Sequence, residues 1–244
     1  MTITSAMILA AGLGTRMRPI TETRPKPLVE VAGKPLIAYA LEALSRAGVR
    51  NIVVNVHYLA PMLVEWLKAW PGAEITISDE TEALLDSGGG VARALPLLGQ
   101  DPFLVLNADT FWIEEPGSGL DNLSMMIDRF DRERMDILMM SARPDQATGH
   151  EGAGDFVVGA DNRLQRYRGQ GEPVIYAGAL ALDPRLLRQQ TDARFSLNRC
   201  FDTAIGAGRL FAAPMRGHWL TVGTPQAIGE AEEAMAGYLS SQAS

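Results

Sequence analysis

The stretch AMILAAGLGTRMRPITETRPKPLVEVAGKPLIAYALEAL, residues 6–44, constrains this chain more than any other. A short apolar strand gives way to Gly12 and Gly14, then to Arg16, Arg18 and Arg24 among Pro19, Pro25 and Pro27, with Lys26 between the last two prolines. Only then does an amphipathic helix begin. A connection that merely joins two elements needs a few turn residues, not a run of about twenty that carries this much positive charge. The two glycines let backbone N–H groups come close to a phosphate. Pro25 and Pro27 fix the backbone on either side of Lys26, so its ammonium is presented at one place. Arg16 offers a planar fork that matches two phosphate oxygens, whereas Lys26 is a point charge. This asymmetry suits a triphosphate losing pyrophosphate, with backbone and Arg16 on the β and γ groups and Lys26 near the α group or an attacking phosphate. An ordinary dinucleotide fold would start its helix directly after the glycines, and a P-loop would end in GK[ST]; neither pattern is present.

The rest of the chain has room for the sheet that such a loop requires. With 244 residues, 47% of them hydrophobic, it can bury one substantial core. A formal charge of −7 without any long lysine or arginine block excludes a nucleic-acid coat. Cys200 is the single cysteine and reads as a small buried hydrophobe in a reducing compartment. The start MTITSAMILAAG lacks the basic region and long apolar run of a signal peptide, and no stretch approaches the roughly 18 apolar residues of a membrane span, so a cytoplasmic protein is expected.

Apolar runs at 3–9, 51–56, 73–78 and 102–109 alternate with helical patterns at 34–47, 60–69 and 89–97. This order predicts an α/β fold: a Rossmann-like, mixed but mostly parallel sheet flanked by helices. Further on, the pattern gives a helix at 120–130, a strand at 135–142, a hairpin at 154–167 and a strand at 173–182. A short helix ending at 201–208, a strand at 208–215, a short strand within 217–225 and a helix from Gln226 complete it. One domain over 1–244 is expected, with a nucleotide-binding half to about 110, a small β-rich half over 111–225 that covers the second substrate, and a closing helix over 226–244. The loops 111–122 and 143–154 read as insertions with lid potential.

Ligands of open parallel sheets bind beyond the carboxyl ends of the strands. Asp109 ends an apolar strand on the edge where the glycine loop stands, which suits a carboxylate holding a divalent cation such as Mg²⁺. Gly88, Gly89 and Gly90 precede an amphipathic run, so a helix N-terminus and a close-passing backbone would face a base or ribose, with Glu80 or Asp86 fixing its position. His57 reads as structural, His150 as exposed, and His218 fits either a structural or a site role. Trp66, Trp70, Met125, Met126, Met139 and Met140 read as core. Trp112 could border a substrate pocket or a lid, while Tyr176 and Gly178 are suited to a pocket wall, since a glycine inside a strand allows close approach.

These motifs carry a resemblance that spans essentially the whole chain. LAAGLGTRMRP…RPKPL, NAD at 107–109 and HWLTVGTP at 218–225 resemble the signature of the sugar-1-phosphate nucleotidyltransferases. SDETEALLDSGGGVARALPLLG is similar to the corresponding stretch of the short N-acetylmuramate-1-phosphate uridylyltransferases of cell-wall recycling, with mannose-1-phosphate guanylyltransferases as the second choice. The resemblance implies a GT-A-like fold, Mg²⁺ as cofactor, an NTP and a sugar 1-phosphate as substrates, and a monomer or weak homodimer. It implies that Ala10, Ala11, Gly12, Gly14 and Thr15, with Arg16 and Lys26, hold the nucleotide phosphates. It adds Glu80, Gly88, Gly89 and Asn107 to the nucleotide contacts and gives Asp109, Trp112, Tyr176 and Gly178 to the sugar. Arg16, Lys26 and Asp109 would be catalytic, with Asp109 on the metal. One departure stands out: Thr221 occupies the usual position of a second metal-binding aspartate, and threonine brings a hydroxyl without a charge. Either one metal suffices or another acid, such as Asp202, supplies the ligand. The expected chemistry needs no general base, because the attacking phosphate is already an anion. A binding module without turnover is the alternative that Thr221 favours.

Overall fold

Residues 3–117 and 119–242 are described by the computed structural model. Its first half contains β1 (Ser5–Leu9), a small ribbon of β2 (Glu30–Val31) and β3 (Lys34–Pro35), α1 (Leu36–Arg46), β4 (Asn51–Val56), α2 (Ala60–Lys68), β5 (Glu74–Asp79), α3 (Asp86–Leu98) and β6 (Phe103–Asn107). There follow β7 (Thr110–Ile113), α4 (Asn122–Arg129), β8 (Ile137–Ala142), β9 (Ala147–Thr148), the hairpin β10 (Phe156–Val158) and β11 (Leu164–Arg166), and β12 (Pro173–Leu182). The chain ends with α5 (Asn198–Gly206), β13 (Leu210–Pro214), β14 (His218–Thr221) and α6 (Gln226–Gln242).

Strands β5, β4, β1 and β6 lie side by side and parallel. Beyond β6 the second half extends the same sheet through β12, antiparallel to both β6 and β8, and then β13, parallel to β8. The β10–β11 hairpin attaches to the first residues of β12. The expected mixed α/β architecture is therefore the one observed, but it is not mostly parallel: the first-half strands, and β8 with β13, pair in parallel, while β12 and the hairpin add antiparallel pairings in equal number. Both faces of the central strands are covered, which explains their nearly continuous apolar sequence. Ile8, Val54, Leu104 and Leu106 point into one core with α1, α2 and α4, where Ile37, Leu41 and Leu44 recur at helical spacing. Met7, Val53 and Val105 point into the other with α3 and α5, which also takes up Cys200. Burial pushes the Cys200 thiol up to about 11. A third cluster joins Met17 and Val31 of the long loop to Phe111, Leu220 and Ala231, so that loop is anchored on β7, β14 and α6.

The winding reverses at β1, which has β4 on one side and β6 on the other, and the register sets Leu9 beside Asn107. The glycine loop and residues 107–109 thus leave adjacent strand ends at a topological switch point. Two expectations need correction. Helix α3 starts at Asp86, so Gly88–Gly90 lie inside its first turns and not before it. The two lid-like insertions are partly sheet, since β7 and β9 both pair with β14. Among the described residues no helix is long and apolar enough to cross a membrane.

Candidate functional site

The long loop is a chain of three short turns, Thr15–Met17, Ile20–Glu22 and Lys26–Leu28. Gly14 makes this path possible. Its φ of 64° suits glycine, and a Cβ there would sit 3.0 Å from both Lys26 Cβ and Thr21 Cγ2, so the loop folds back tightly on itself. Thr21 Oγ1 donates to the Gly14 carbonyl at 2.8 Å. Gly12, by contrast, has open space around it, as a phosphate cradle requires.

Lys26 Nζ donates to Asp109 Oδ2 at 2.6 Å, so two residues 83 positions apart form one ion pair with side chains only 12% and 35% exposed. Two cavities meet at this pair. One, of about 360 Å³, is lined by Ala10–Gly12, Lys26, Asn55, Glu80, Asp86 and Ser87. The other, of about 780 Å³, is lined by Arg16, Tyr176, Trp219 and Thr221, and Asn107 and Asp109 belong to both. The basic cluster of the loop is therefore split: Lys26 serves the first cavity, Arg16 the second, and Arg24 pairs with Glu30 at 3.5 Å. Thr221 stands beside Asp109, because Val222 N–H donates to the Asp109 carbonyl at 3.0 Å and β14 pairs Thr221 with Thr110.

The second cavity has an unusual wall. Thr110 Oγ1, His150 Nε2, Tyr176 OH and Trp219 Nε1 are all buried without a hydrogen-bond partner, and all four residues line it. Orphaned buried polar atoms are costly, about 1–3 kcal/mol each, and four of them around one space mark it as a space for a polar ligand or ordered water. Burial, and then the charge of Asp109, raises the Tyr176 hydroxyl far above the usual tyrosine range, so it remains a neutral donor. His150 accordingly belongs to the site wall and is not the exposed residue expected.

Other sequence expectations are moved by the geometry. Gly88 and Gly89 do not face a ligand: a Cβ on Gly88 would collide with the Phe195 ring, and one on Gly89 with the Ala193 carbonyl. Both allow the 193–197 segment to dock on α3, where Gly89 N–H donates to the Phe195 carbonyl at 2.9 Å and Leu197 N–H to Ser87 Oγ at 3.0 Å. Gly178, at a φ of 75°, makes room for Thr110 Oγ1 and not for a ligand. Trp112 turns away into the core and donates its indole N–H to Glu114 Oε1 at 2.6 Å. Asp202 lies on α5 in an ion pair with Arg166 at 2.8 Å and lines neither cavity, so it cannot replace the missing aspartate. His57 is structural, its Nδ1 2.7 Å from the Glu80 carbonyl. His218 packs its Nε2 2.8 Å from Thr148 Oγ1, and burial lowers its pKa.

Sequence reasoning passed over Thr110 and Trp219 in the larger cavity and Arg194 and Asn55 in the smaller. Arg194, presented by the docked segment, adds a second basic side chain to the smaller cavity; on an exposed loop it gives no periodic signal. Asn55 was detectable as a polar residue inside the apolar strand NIVVNV.

Among the described residues no group of three or more His, Cys, Asp or Glu is placed to hold a metal ion. The donor set nonetheless fits one role. Asp109 offers a carboxylate next to a space for phosphates, and Mg²⁺ commonly takes one or two carboxylates together with substrate phosphates.

A long glycine-bearing loop at the switch point of the sheet, with a lysine–aspartate pair between two cavities, is an arrangement suited to a nucleotide-binding group-transfer enzyme. The chain belongs to the nucleotidyl transferase family, whose model matches residues 5–163. It is similar to the N-acetylmuramate alpha-1-phosphate uridylyltransferase of Caulobacter vibrioides, with 41% identity over 95% of this chain and 96% of that protein. The protein of the same name from Neisseria meningitidis serogroup B is 34% identical over 95% and 98%. The mannose-1-phosphate guanylyltransferase catalytic subunit beta of Danio rerio is 31% identical over 91% of this chain and 61% of its own length. Solved structures share the fold: HddC from Yersinia pseudotuberculosis has a TM-score of 0.75 at 22% identity, covering 96% of this chain and all of that one. The inositol-1-phosphate CTP transferase from T. maritima has a TM-score of 0.78 at 18% identity, covering 97% and 96%.

Proposed function

We propose that this nucleotidyltransferase condenses UTP with N-acetylmuramate 1-phosphate to give the UDP-sugar and pyrophosphate. The observation that carries the reading is the 41% identity to the Caulobacter uridylyltransferase over nearly the full length of both chains. The two cavities meeting at Lys26 and Asp109 supply a matching stage, with nucleotide in the smaller and sugar phosphate in the larger. A phosphate oxygen of the sugar 1-phosphate attacks the α-phosphorus; the new O–P bond forms as the bond to the β-phosphate oxygen breaks, and pyrophosphate leaves with that electron pair. No proton needs to move. The work of the chain is to hold two anions together and to balance their charge. Lys26 meets the α-phosphate region from a backbone fixed by Pro25 and Pro27. Arg16 takes oxygens on the far side of Asp109, and Tyr176 and Trp219 offer neutral donors to the sugar. Mg²⁺, held by Asp109 with substrate phosphate oxygens, would neutralise charge at the centre; Thr221 adds none.

The test is pyrophosphate release across a matrix of UTP, GTP, CTP, ATP and dTTP against the 1-phosphates of N-acetylmuramate, N-acetylglucosamine, mannose and glucose. Turnover confined to UTP with N-acetylmuramate 1-phosphate is the expected result. GTP with mannose 1-phosphate would instead select the second reading, for which the similarity to the Danio rerio subunit speaks.

A further inference from the structure

Glu80 is 2% exposed, yet it lines the nucleotide-side cavity. Both of its carboxylate oxygens are already engaged. Oε1 accepts from Asn55 Nδ2 at 2.7 Å, and Oε2 accepts from Leu85 N–H at 3.1 Å. Asn55, itself 3% exposed, uses its other end to accept the Ala10 N–H at 2.7 Å. Ala10 opens the glycine loop, while Leu85 leads into Asp86 and Ser87, which line the same cavity. One chain of hydrogen bonds therefore links Ala10 at the glycine loop to Leu85 at the entry of α3 through Asn55 and Glu80, both buried.

The chemistry of this chain is directional. Ala10 N–H can only donate and both Glu80 oxygens accept here, so the residue between them must accept at one end and donate at the other. An amide does both. The third glycine of the GGG run makes the space: a Cβ on Gly90 would lie 2.7 Å from Glu80 Oε1 and 2.9 Å from Asn55 Nδ2. The three glycines thus serve two purposes, the first two for the docked segment and the third for this network. Ala10 spends its N–H on Asn55, so its part in the site is to hold the loop and not to donate to phosphate.

We infer that Glu80 is a positioning residue that acts through the Asn55 amide to set the phosphate loop against the base-side wall, and does not itself contact the nucleotide. This deepens the nucleotidyltransferase reading and rests on it. The network fixes the cavity in both ground state and transition state, so its loss weakens nucleotide binding uniformly: KM rises and kcat stays close to its original value.

The test uses exchanged polarity. Asn55→Asp sets two carboxylates face to face, and Glu80→Gln sets an amide N–H₂ against Asn55 or Leu85 N–H. In the double variant Asn55→Asp/Glu80→Gln every donor again meets an acceptor: the new carboxylate takes Ala10 N–H and the new side-chain amide, whose oxygen takes Leu85 N–H. Expected for each single variant is a rise of about tenfold in the UTP dissociation constant by calorimetry and in the UTP KM, as for one lost buried hydrogen bond, with the KM for sugar phosphate unchanged. The double variant is expected to return to within about threefold of the original. A double variant as weak as Glu80→Gln alone would mean that the carboxylate touches nucleotide. Unchanged UTP affinity in Glu80→Gln, with only a lowered melting temperature, would reduce the network to a structural role. The mild Glu80→Gln change keeps the test open where Asn55→Asp fails to fold. The parent chain's own turnover reports separately on the substrate reading.

Discussion

Lys26→Met and Asp109→Ala remove opposite ends of one ion pair, and the structure makes their consequences unequal. The ammonium side chain is 12% exposed and the carboxylate 35%, at a separation of 2.6 Å. Without Lys26, a carboxylate with a third of its surface in water rehydrates, and the loss of stability is about 1 kcal/mol. Without Asp109, a cation nearly out of water is stranded. Breaking a fully buried pair in this way costs about 3–5 kcal/mol, and the partial exposure here brings it to about 2–3 kcal/mol. At about 2–4 °C per kcal/mol for a chain of this size, Asp109→Ala melts about 4–12 °C lower. Activity follows a different rule. Lys26→Met removes a charge placed where phosphate charge shifts, so kcat/KM falls about 10²–10³-fold with little change in melting temperature. Asp109→Ala abolishes turnover. Lys26→Arg does not rescue, because the prolines fix the backbone and the longer fork cannot occupy the place of a point charge. Pyrophosphate release and thermal melts on the same preparations decide the matter. Equal melting losses in the two variants, or a Lys26→Met enzyme within threefold of the parent kcat/KM, would refute the reasoning.

Three further changes test the surroundings. Gly89→Ala would stabilise an ordinary helix by about 1 kcal/mol, but here the methyl meets the Ala193 carbonyl, so a loss of about 1–3 kcal/mol in a denaturant melt is expected; a gain would show that the 193–197 segment is not docked. Tyr176→Phe removes an orphaned hydroxyl, so the ligand-free protein should gain about 1 kcal/mol while the sugar-phosphate KM rises; a lower melting temperature would mean that the hydroxyl already has a partner. Thr221→Asp adds a carboxylate beside Asp109 and should lower the Mg²⁺ concentration needed for half-maximal rate. An unchanged magnesium titration would show that this position does not face the metal.

The sheet was legible because its code is local. Doubly buried strands such as NIVVNV and PFLVLN are apolar in runs, and α1 repeats Ile37, Ala40, Leu41 and Leu44 toward its core. The long loop was legible as more than a connection for a different reason, since Gly12, Gly14, Lys26 and its flanking prolines leave few other uses for that length of chain. Asp109 followed from its place at a strand end, and its pairing with Lys26 needed only the neighbouring strand ends of β1 and β6. What the sequence concealed were distances between segments far apart in the chain. A glycine reports that something comes close, without saying what comes close: a base, a carbonyl or a side chain gives the same residue.

The GGG run shows how that ambiguity is resolved. Read alone, it suggested a ligand, because three consecutive glycines ahead of a helix cost folding entropy that a plain turn does not require. In the fold each glycine has a protein neighbour: Phe195 for Gly88, the Ala193 carbonyl for Gly89, and Glu80 with Asn55 for Gly90. The same holds for Gly178 and Thr110, and it inverts the usual inference, since here small residues around a site mark where its walls are fastened and not where its ligand lies. The ligand's place is marked by the opposite feature, the four polar atoms that found no partner at all. Thr221 fits that division. It sits beside Asp109 in the larger cavity yet adds no charge, so the positive charge near it comes from Lys26 and Arg194 in one cavity and Arg16 in the other, with Lys26 held in place by Asp109.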